Sequence, residues 1–320
     1  MRAEKINTKL ALCIPAYNAE KFLPTLLSSA KKQLIPFDEI LVYNDCSTDS
    51  TSAVAREFGA TVIEGVTNMG CSFAKNQLAS ATACDWIHFH DADDDMSEHF
   101  TSFAHEWMDK SNTPDVVLFD YEYRDFLTKE LLGIRKFNNT ELQDDPIRYT
   151  IKEQINPFCG LYRRTSFLNA GGYDIDPRVL YNEDVALHCR LAINGLRFAS
   201  EERVAIINYR VTTSMSSANR PKTVVAQYEV MKKVAAQVDA KYYAEISKKL
   251  WQYCRHAAFY NDWELVKHIV NLSKNLGNRI SNSDSALFTA ATLVNPYWAI
   301  YLREHFNRVT RKNYKNNPLW

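Results

Sequence analysis

The sequence is poor in several features that define whole classes of protein. It has no run of eighteen consecutive apolar residues, and the apolar run behind its charged amino terminus is too short for a signal peptide, so it predicts neither a membrane-spanning helix nor a signal peptide. Its seven cysteines are scattered and include no Cys-x-x-Cys pair, which favours reduced thiols over a disulfide framework. We therefore expect a cytoplasmic protein, soluble or at most peripheral on the inner face of the cell membrane.

The sequence also has no excess of charge of either sign. The 38 basic residues balance 38 acidic ones, which gives no general argument for nucleic acid as a partner. No Gly-x-Gly-x-x-Gly follows the first predicted strand, so the usual dinucleotide-binding fingerprint is absent as well. With 46% hydrophobic residues in 320, the chain is long enough to build a large core.

The most informative stretch present is the segment 85–95. Its apolar residues Trp86, Ile87 and Phe89 predict a buried strand, which runs into four carboxylates. These are Asp91, Asp93, Asp94 and Asp95. Hard oxygen ligands at this spacing suit Mg²⁺ or Mn²⁺, which keep several waters and bridge to substrate phosphates. The alternative is a solvated acidic turn that caps the next helix.

Strands and helices alternate around this segment. Periodicity predicts strands at 10–14, 40–43, 60–63 and 85–89, with helices at 22–30, 53–58 and 73–83 between them. This pattern is typical of an α/β fold with a mostly parallel sheet and right-handed crossovers. It predicts a nucleotide-binding half at about residues 10–95.

The rest of the chain divides into a second half of this domain and an extension. At about 96–220 the patterns predict further strands and helices, including strands at 116–123, 157–162 and 204–209, a hairpin over 123–137 and helices at 97–108, 141–154 and 185–193. Beyond residue 220 only helical periodicity remains. We therefore predict a domain at 1–220 and a helical carboxyl-terminal extension at 221–320.

Three loops at the carboxyl ends of predicted parallel strands carry distinctive residues. Tyr17 and Asn18 follow the first strand, Asp45 follows the second, and the acidic cluster follows the fourth. Ligands of open α/β sheets bind at that edge, so the loops should meet in one crevice. An aromatic ring, a lone carboxylate and a metal-holding pair are what a nucleoside diphosphate requires.

Four ordered motifs carry a family resemblance. They are Ile14-Pro15-Ala16-Tyr17-Asn18, Asn44-Asp45-Cys46-Ser47-Thr48-Asp49-Ser50-Thr51, Asn68-Met69-Gly70-Cys71-Ser72-Phe73-Ala74-Lys75-Asn76 and the Asp-x-Asp motif Asp91-Ala92-Asp93-Asp94. In order and spacing they resemble the motifs of family 2 glycosyltransferases, which have the GT-A fold, invert the anomeric centre and include enzymes of bacterial surface-polysaccharide biosynthesis. Four ordered motifs are a specific signal, whereas any one alone would be weak.

The resemblance implies a role for each matched residue. Tyr17 should stack near the base, Asp45 should accept its N3–H, and Asp91 and Asp93 should reach the ribose and a Mn²⁺ or Mg²⁺ ion. Lys75 stands where many relatives have arginine and should neutralise phosphate as a point charge. The full predicted donor set is Pro15, Tyr17, Asn18, Asp45, Asn68, Lys75, Asp91, Ala92 and Asp93.

The acceptor side resembles the family more loosely. Gly171-Gly172-Tyr173-Asp174 is similar to its acceptor-side loop, and Asn182-Glu183-Asp184 to its Glu-Asp motif. The resemblance implies that Asp184 is the catalytic base, since an acceptor hydroxyl must lose a proton as it attacks. The alternative is a carboxylate that stabilises a helix amino terminus.

The resulting expectation is transfer of a hexosyl or N-acetylhexosaminyl group from a nucleotide sugar, preferably a UDP-sugar, to a saccharide or lipid-linked acceptor. A catalytically silent sugar-nucleotide or glycan-binding protein is the alternative, and a sugar nucleotidyltransferase is disfavoured because its Gly-rich loop is missing. His88 and His90 could suggest a zinc site. We disfavour this interpretation, because histidines inside a strand are more often part of the core or of a crevice. Residues 212–217 suggest a closing loop. The basic carboxyl end, 303–315, suggests peripheral membrane contact, with a solvated last helix as the alternative.

Overall fold

The computed structural model of the protein describes residues 8–210, 219–277 and 286–311, apart from the side chains of 286 and 287. Its first elements are β1 Leu10–Ala16, α1 Leu23–Lys31, β2 Glu39–Asn44, α2 Thr51–Glu57, β3 Thr61–Glu64, α3 Cys71–Ala81 and β4 Trp86–Phe89. These strands lie in the order β3-β2-β1-β4, and all run parallel. The predicted alternation of strands and helices is confirmed.

The position of β1 follows from its composition. The run from Leu10 to Ile14 is fully buried, because β1 pairs with β2 on one side and β4 on the other while helices cover both faces of the sheet. A strand buried on both faces has no polar alternation, which is why the motif is a continuous apolar run. Pro15 ends that run and is half-buried.

The remaining strands make the sheet mixed. They are β5 Asp95–Met96, β6 Val116–Asp125, β7 Leu131–Arg135, β8 Gly160–Arg163 and β9 Phe198–Arg210. Among the described residues the sheet has nine strands in the order β3-β2-β1-β4-β8-β6-β9-β5, with β7 paired to β6. β8 runs antiparallel to both neighbours, whereas β6 and β9 are parallel. The antiparallel β6–β7 pair is the predicted hairpin.

Four short helices and a longer one accompany these strands. They are α4 Phe100–Met108, α5 Asn139–Asp144, α6 Pro146–Lys152, α7 Arg164–Asn169 and α8 Glu183–Ile193. The prediction of a single helix over 141–154 is wrong. The chain leaves helical geometry at Asp145, which separates α5 from α6. A residue before proline avoids that geometry, and the Asp145 carboxylate accepts a hydrogen bond from Arg148 N at 3.0 Å and starts a new helix.

Further boundaries differ from the predictions. The strand predicted over 204–209 is longer and begins at Phe198. The helix predicted from residue 97 begins at Phe100, because Ser97 N donates to Ala205 O at 2.9 Å and continues the contact with β9. The strand predicted over 157–162 begins at Gly160, after a short 3-10 segment at Pro157–Cys159. Proline at the start of that segment favours a helical turn over a strand.

Two compact units emerge. The first holds the described residues up to Ile175 together with Leu187 to Arg210, and the second holds Asp176–Ala186 and the described residues from 219 onward. The second unit contains α9 Arg220–Ala235, α10 Tyr243–Phe259, α11 Trp263–Asn275, α12 Ala286–Val294 and α13 Pro296–Thr310. The predicted domain boundary at residue 220 stays a prediction. No helix in the described ranges is both long and apolar enough to cross a membrane.

Candidate active site

The loops after β1, β2 and β4 leave the sheet side by side. Asp45 N donates to Ala16 O at 2.8 Å, and His90 N donates to Cys13 O at 3.1 Å, so β1 contacts both neighbouring strands at their carboxyl ends. The three predicted loops therefore lie on adjacent strands at one edge of the first unit. Because this sheet edge is where α/β folds bind ligands, we take it as the candidate donor site.

Hydrogen bonds tie the first loop to the second. Asn18 N donates to Ser47 Oγ at 2.9 Å, and Thr48 N donates to Asn18 Oδ1 at 2.9 Å. Ala19 N donates to Thr51 Oγ1 at 2.8 Å. Asn18 has a positive φ of 49°, a conformation that asparagine tolerates better than most residues. The polar residues of the second motif therefore build the scaffold of the crevice, a role that their spacing did not predict.

A second link between these loops is reciprocal. Glu20 N donates to Asp49 Oδ2 at 3.1 Å, while Ser50 N donates to Glu20 Oε2 at 2.9 Å. Each acidic side chain thus satisfies a backbone N–H of the other loop. These contacts fix the entry to α1 and α2 together.

Asp45 holds the third loop as well as lining the site. Its carboxylate is buried and accepts hydrogen bonds from Met69 N at 2.8 Å and Gly70 N at 2.7 Å. Gly70 has φ +86° and immediately precedes α3. Asn68 lies exposed in the same turn. The carboxylate expected to meet the base is therefore already positioned by two backbone donors.

Tyr17 presents an accessible aromatic ring at this edge. The residue is 53% exposed and follows the buried Ala16 directly. Tyr17 is therefore available to stack against a planar ligand.

The acidic loop is paired with a buried cation. Lys75 on α3 is 2% exposed, and its Nζ lies 3.0 Å from Asp91 Oδ1. The same Nζ lies 5.7 Å from the centre of the Tyr173 ring. A buried lysine requires a negative partner, and Asp91 supplies one. The predicted phosphate-neutralising group thus sits next to the predicted metal-binding loop.

Asp93 carries the least paired charge of the loop. Its side chain reaches the surface, and Ala92 beside it is half-buried. Desolvation by the surrounding protein, together with the nearby Asp91 carboxylate, raises the pKa of Asp93 above its ordinary value. Crowded carboxylates of this kind gain from a cation that neutralises both.

Asp94 has a structural partner that the sequence did not reveal. The buried carboxylate accepts hydrogen bonds from Asn208 Nδ2 at 2.9 Å and from Tyr209 N at 2.8 Å on β9. Desolvation, with Asp91 and Asp93 nearby, raises the pKa of Asp94 well above its ordinary value. Asp95 accepts from the adjacent Met96 N at 2.8 Å. Asp94 thus joins the acidic loop to the end of β9.

The closing loop suggested at 212–217 lies outside the described residues.

The two strand histidines form a buried pair. His88 Nε2 and His90 Nδ1 lie 2.9 Å apart, and His88 Nδ1 lies 2.9 Å from Gly160 O. Burial lowers the pKa of His90 to about 3, so the ring is neutral at physiological pH. Both nitrogens of His88 are committed to hydrogen bonds, and the pair acts as part of the core between β4 and β8.

The acceptor-side loop of the first unit is also fixed by side chains. The Asn76 amide pairs with Tyr173, donating to its carbonyl at 3.0 Å and accepting from its N–H at 2.8 Å. Arg190 Nη1 donates to Gly172 O at 3.1 Å, and Arg190 Nη2 lies 3.1 Å from Asp174 Oδ2. Lys75 and Asn76 are adjacent, so α3 contributes to both the acidic loop and this loop.

Asp184 lies in the second unit, as the second residue of α8. Glu183 and Asp184 occupy the first turn of the helix, where the helix dipole favours negative charge. This position suits both interpretations of the residue, and its catalytic role stays a prediction.

Two carboxylates of the acidic loop, those of Asp91 and Asp93, fit a divalent cation that also binds phosphate. Within the described part of the chain, no group of three or more His, Cys, Asp or Glu side chains is arranged to hold a metal ion. Mg²⁺ and Mn²⁺ commonly use only one or two carboxylates, with waters and substrate phosphates completing the coordination. Asp91 and Asp93 provide that smaller set with the oxygen chemistry these ions prefer.

Comparison with known proteins agrees with this geometry. The sequence profile of the family described as "Glycosyl transferase family 2" matches residues 11–168, which hold β1 to β4 and all of the donor loops. The fold is the GT-A architecture of the glycosyltransferases. Residues 11–168 of the chain belong to glycosyltransferase family 2.

Two sequence relatives are 4,4'-diaponeurosporenoate glycosyltransferases of Staphylococcus aureus. The proteins of strains RF122 and MRSA252 are 39% and 42% identical to this chain over 101 residues. The similarity covers 29% of this chain and 27% of each relative. The chain therefore spans about a quarter of the length of these relatives, within the shared domain.

Solved structures show the same fold at low identity. S. aureus TarS residues 1–349 in complex with UDP-GlcNAc has a TM-score of 0.67 and 17% identity, covering 95% of this chain and 93% of that one. The mannosyltransferase PcManGT of Pyrobaculum calidifontis, in complex with GDP-Man and Mn²⁺, has a TM-score of 0.57 and 15% identity, covering 94% and 87%. The GT-A fold predicted from the motifs is confirmed.

Proposed function

We propose that this protein is a metal-dependent, inverting glycosyltransferase that moves a sugar from a nucleotide sugar to a saccharide or lipid-linked saccharide acceptor. The observation that carries the proposal is the single sheet edge at which Tyr17, Asp45 and Asp91 follow adjacent parallel strands, beside the buried cation Lys75. Family membership and the likeness to structures holding UDP-GlcNAc and GDP-Man support it.

On the donor side we assign recognition of the base to Tyr17 and Asp45. The exposed Tyr17 ring can stack on a uracil, and each oxygen of Asp45 has a second lone pair beyond the one used by Met69 N or Gly70 N. The remaining predicted donor residues shape the loops and contribute their backbone groups. They are Pro15, Asn18, Asn68 and Ala92. We infer a UDP-sugar as the preferred donor.

For the diphosphate we assign Asp91 and Asp93 as ligands of Mn²⁺ or Mg²⁺, with Lys75 as a fixed positive charge. When bound, such an ion neutralises charge that develops on the leaving diphosphate. Lys75 contributes to the same neutralisation without the bidentate geometry of arginine.

For the transfer step we assign Asp184 as general base. The acceptor oxygen forms a bond to the anomeric carbon as the bond from that carbon to the diphosphate oxygen breaks, and the hydroxyl proton passes to the Asp184 carboxylate. One displacement on the face opposite the leaving group inverts the anomeric centre. Asp184 lies in the first turn of α8, where the helix dipole favours the negative charge that a base requires.

We further propose that the protein works in the cytoplasm, where nucleotide sugars are available, and contacts the inner face of the membrane through its carboxyl end. This location would bring the enzyme to lipid-linked acceptors. The scattered cysteines and the basic segment 303–315 motivate this part of the proposal.

Calorimetric titration with UDP, GDP and dTDP, each with and without Mn²⁺, tests the donor site. We expect UDP to bind only with metal, and Asp93→Ala to abolish that binding because one of two metal ligands is lost. Absence of binding for all three nucleotides would refute the donor assignment.

A turnover assay distinguishes an enzyme that transfers the sugar from a protein that only binds the nucleotide sugar. With a UDP-sugar and an acceptor mixture, Asp184→Asn should leave UDP affinity unchanged while lowering kcat by about 10²-fold or more, because only proton acceptance is removed. Metal-dependent UDP binding without any donor turnover would instead identify a silent nucleotide-sugar-binding protein.

A further inference from the structure

The outward side of α13 is apolar. Four of its side chains are largely exposed: Trp298 at 55%, Leu302 at 65%, Phe306 at 66% and Val309 at 84%. Their spacing of four, four and three residues places them along one side of a helix. Helices on protein surfaces usually show polar groups on their outward side, so this set, the α13 stripe, marks an interaction surface.

The opposite side of α13 is packed within the second unit. Ala299, Ile300 and Glu304 are buried, and Arg308 Nε lies 2.9 Å from Glu304 Oε1. Arg308 also donates to Phe259 O at 2.8 Å, at the end of α10. The helix is therefore held by its inner side, and the direction of the α13 stripe is fixed.

The end of α12 adds to the exposed apolar surface. Leu293 is 58% exposed and Val294 is 88% exposed, one turn before α13 begins. Asn295 separates the two helices, and its Oδ1 accepts from Trp298 N at 3.3 Å. The residues of α12, Ala286–Val294, include no charged side chain.

The charged residues that follow Glu304 in the sequence are all basic. Glu304 is the last acidic residue of the sequence, and it pairs with Arg308. Arg311 is exposed at the end of α13, and the sequence continues with Lys312 and Lys315. An apolar side flanked by cations, with a tryptophan near one end, complements an anionic lipid surface.

We propose that the α13 stripe, together with Leu293 and Val294, docks on a bilayer of anionic phospholipids, with α13 lying in the interface plane. The proposal rests on the peripheral location proposed above, and it does not use the transfer chemistry. A symmetric contact between two copies is disfavoured, because it would bring two sets of the same positive charge into one interface without acidic partners.

Co-sedimentation of the full chain with vesicles tests this surface. One set of vesicles contains equal parts of phosphatidylglycerol and phosphatidylcholine, and the other contains phosphatidylcholine alone. We expect binding to the anionic set, weakened by salt, and a loss of about tenfold or more when Leu302→Glu and Phe306→Glu are combined. Leu34→Glu, at a residue 57% exposed in the first unit, is the matched control and should bind like the wild type.

Three results would overturn the proposal. They are no binding of the wild type to either vesicle, equal binding of the double variant and the wild type, and equal binding to neutral and anionic vesicles. A wild-type dimer that the double variant converts to a monomer, without vesicle binding, would assign the stripe to a second copy. Circular dichroism and metal-dependent UDP binding of the double variant confirm that it is folded. Because UDP binding is measured separately, failure of membrane docking is distinguishable from failure of the donor site.

Discussion

The ammonium of Lys75 and the carboxylate of Asp91 form an ion pair of 3.0 Å in which the lysine is almost completely buried. The pair joins α3 to the loop after β4, and so it neutralises one carboxylate of the acidic loop. A divalent cation that binds Asp91 competes with Lys75 for the same group. If metal and diphosphate bind together, the Lys75 ammonium would lose Asp91 as its partner and contact a phosphate oxygen instead.

Lys75→Met tests this exchange. Methionine keeps much of the side-chain volume but removes the charge, so we expect metal-dependent UDP affinity to fall by about tenfold or more. The free energy of unfolding should change by less than about 1 kcal/mol, because an apolar isostere replaces a buried cation and Asp91 retains access to water. Calorimetry and urea unfolding measure the two effects. Unchanged UDP affinity would show that Lys75 serves only the fold.

Two adjacent glycines of the acceptor-side loop should differ in how much stability the protein loses when each is replaced by alanine. Gly171 and Gly172 both have positive φ, but a Cβ on Gly172 would lie 2.5 Å from Asn76 Oδ1, whereas at Gly171 the nearest atom is Arg190 Nη1 at 4.0 Å. Asn76 cannot move without losing its two bonds to Tyr173. We expect Gly172→Ala to lower the free energy of unfolding by about 1–3 kcal/mol more than Gly171→Ala.

Urea unfolding of the two variants measures this difference. In an Asn76→Ala background the extra cost of Gly172→Ala should shrink, since the contact with Asn76 Oδ1 is removed while the one with Phe167 Cε1, at 3.2 Å, remains. Equal destabilisation by the two glycine variants in the wild-type background would contradict the close approach of Asn76.

The link between Asp94 and β9 predicts a coupled loss of stability and binding. Asp94→Ala leaves the Asn208 amide and Tyr209 N without their acceptor, at a cost of about 1–3 kcal/mol. The freed loop also presents Asp93 less rigidly, so metal-dependent UDP affinity should fall. Asp95→Ala is the matched control, because Asp95 accepts from its immediate neighbour, and it should affect both measurements less. Similar effects of the two variants would refute the positioning role of Asp94.

An ion pair in the second unit predicts a specific pH dependence. Hydrogen bonds from Arg178 and Lys233 hold the pKa of the Asp176 carboxyl well below its ordinary value. A depressed carboxyl pKa stabilises the fold above the unfolded pKa of about 3.9, and that contribution is lost as the pH falls through the folded pKa. Asp176→Asn keeps an acceptor for Arg178 N but removes the charge.

We therefore expect Asp176→Asn to lower the free energy of unfolding by about 1 kcal/mol at neutral pH. The difference from the wild type should shrink below about pH 4 and with added salt. Chemical unfolding at several pH values measures it. A difference that grows on acidification would mean that the charge of Asp176 does not stabilise the fold.

Local patterns in the sequence were sufficient for the donor half of the fold. A parallel strand buried on both faces is a continuous apolar run, so β1 and β4 are visible in the sequence, and the polar residues that follow them mark the carboxyl edge. The order of the motifs then predicts that Tyr17, Asp45 and Asp91 follow strands at one edge of the sheet.

Contacts between distant segments could not be predicted in this way. Asp94 and Asn208 are separated by 114 positions, and no periodicity connects them. The insertion of β8 between β4 and β6, antiparallel to both, likewise depends on pairing between strands far apart in the chain. The scaffold role of Ser47 and Thr48 was missed because short polar residues in a loop resemble an ordinary helix cap.

The hydrogen bonds between the loops after β1 and β2 have a consequence for engineering. Each loop supplies side-chain acceptors for the backbone of the other, so neither keeps its shape when its neighbour is replaced. A graft that exchanges residues 15–20 alone would place them against a mismatched second loop. Residues 15–20 and 44–51 therefore form one structural unit, and a chimera of this protein should exchange them together.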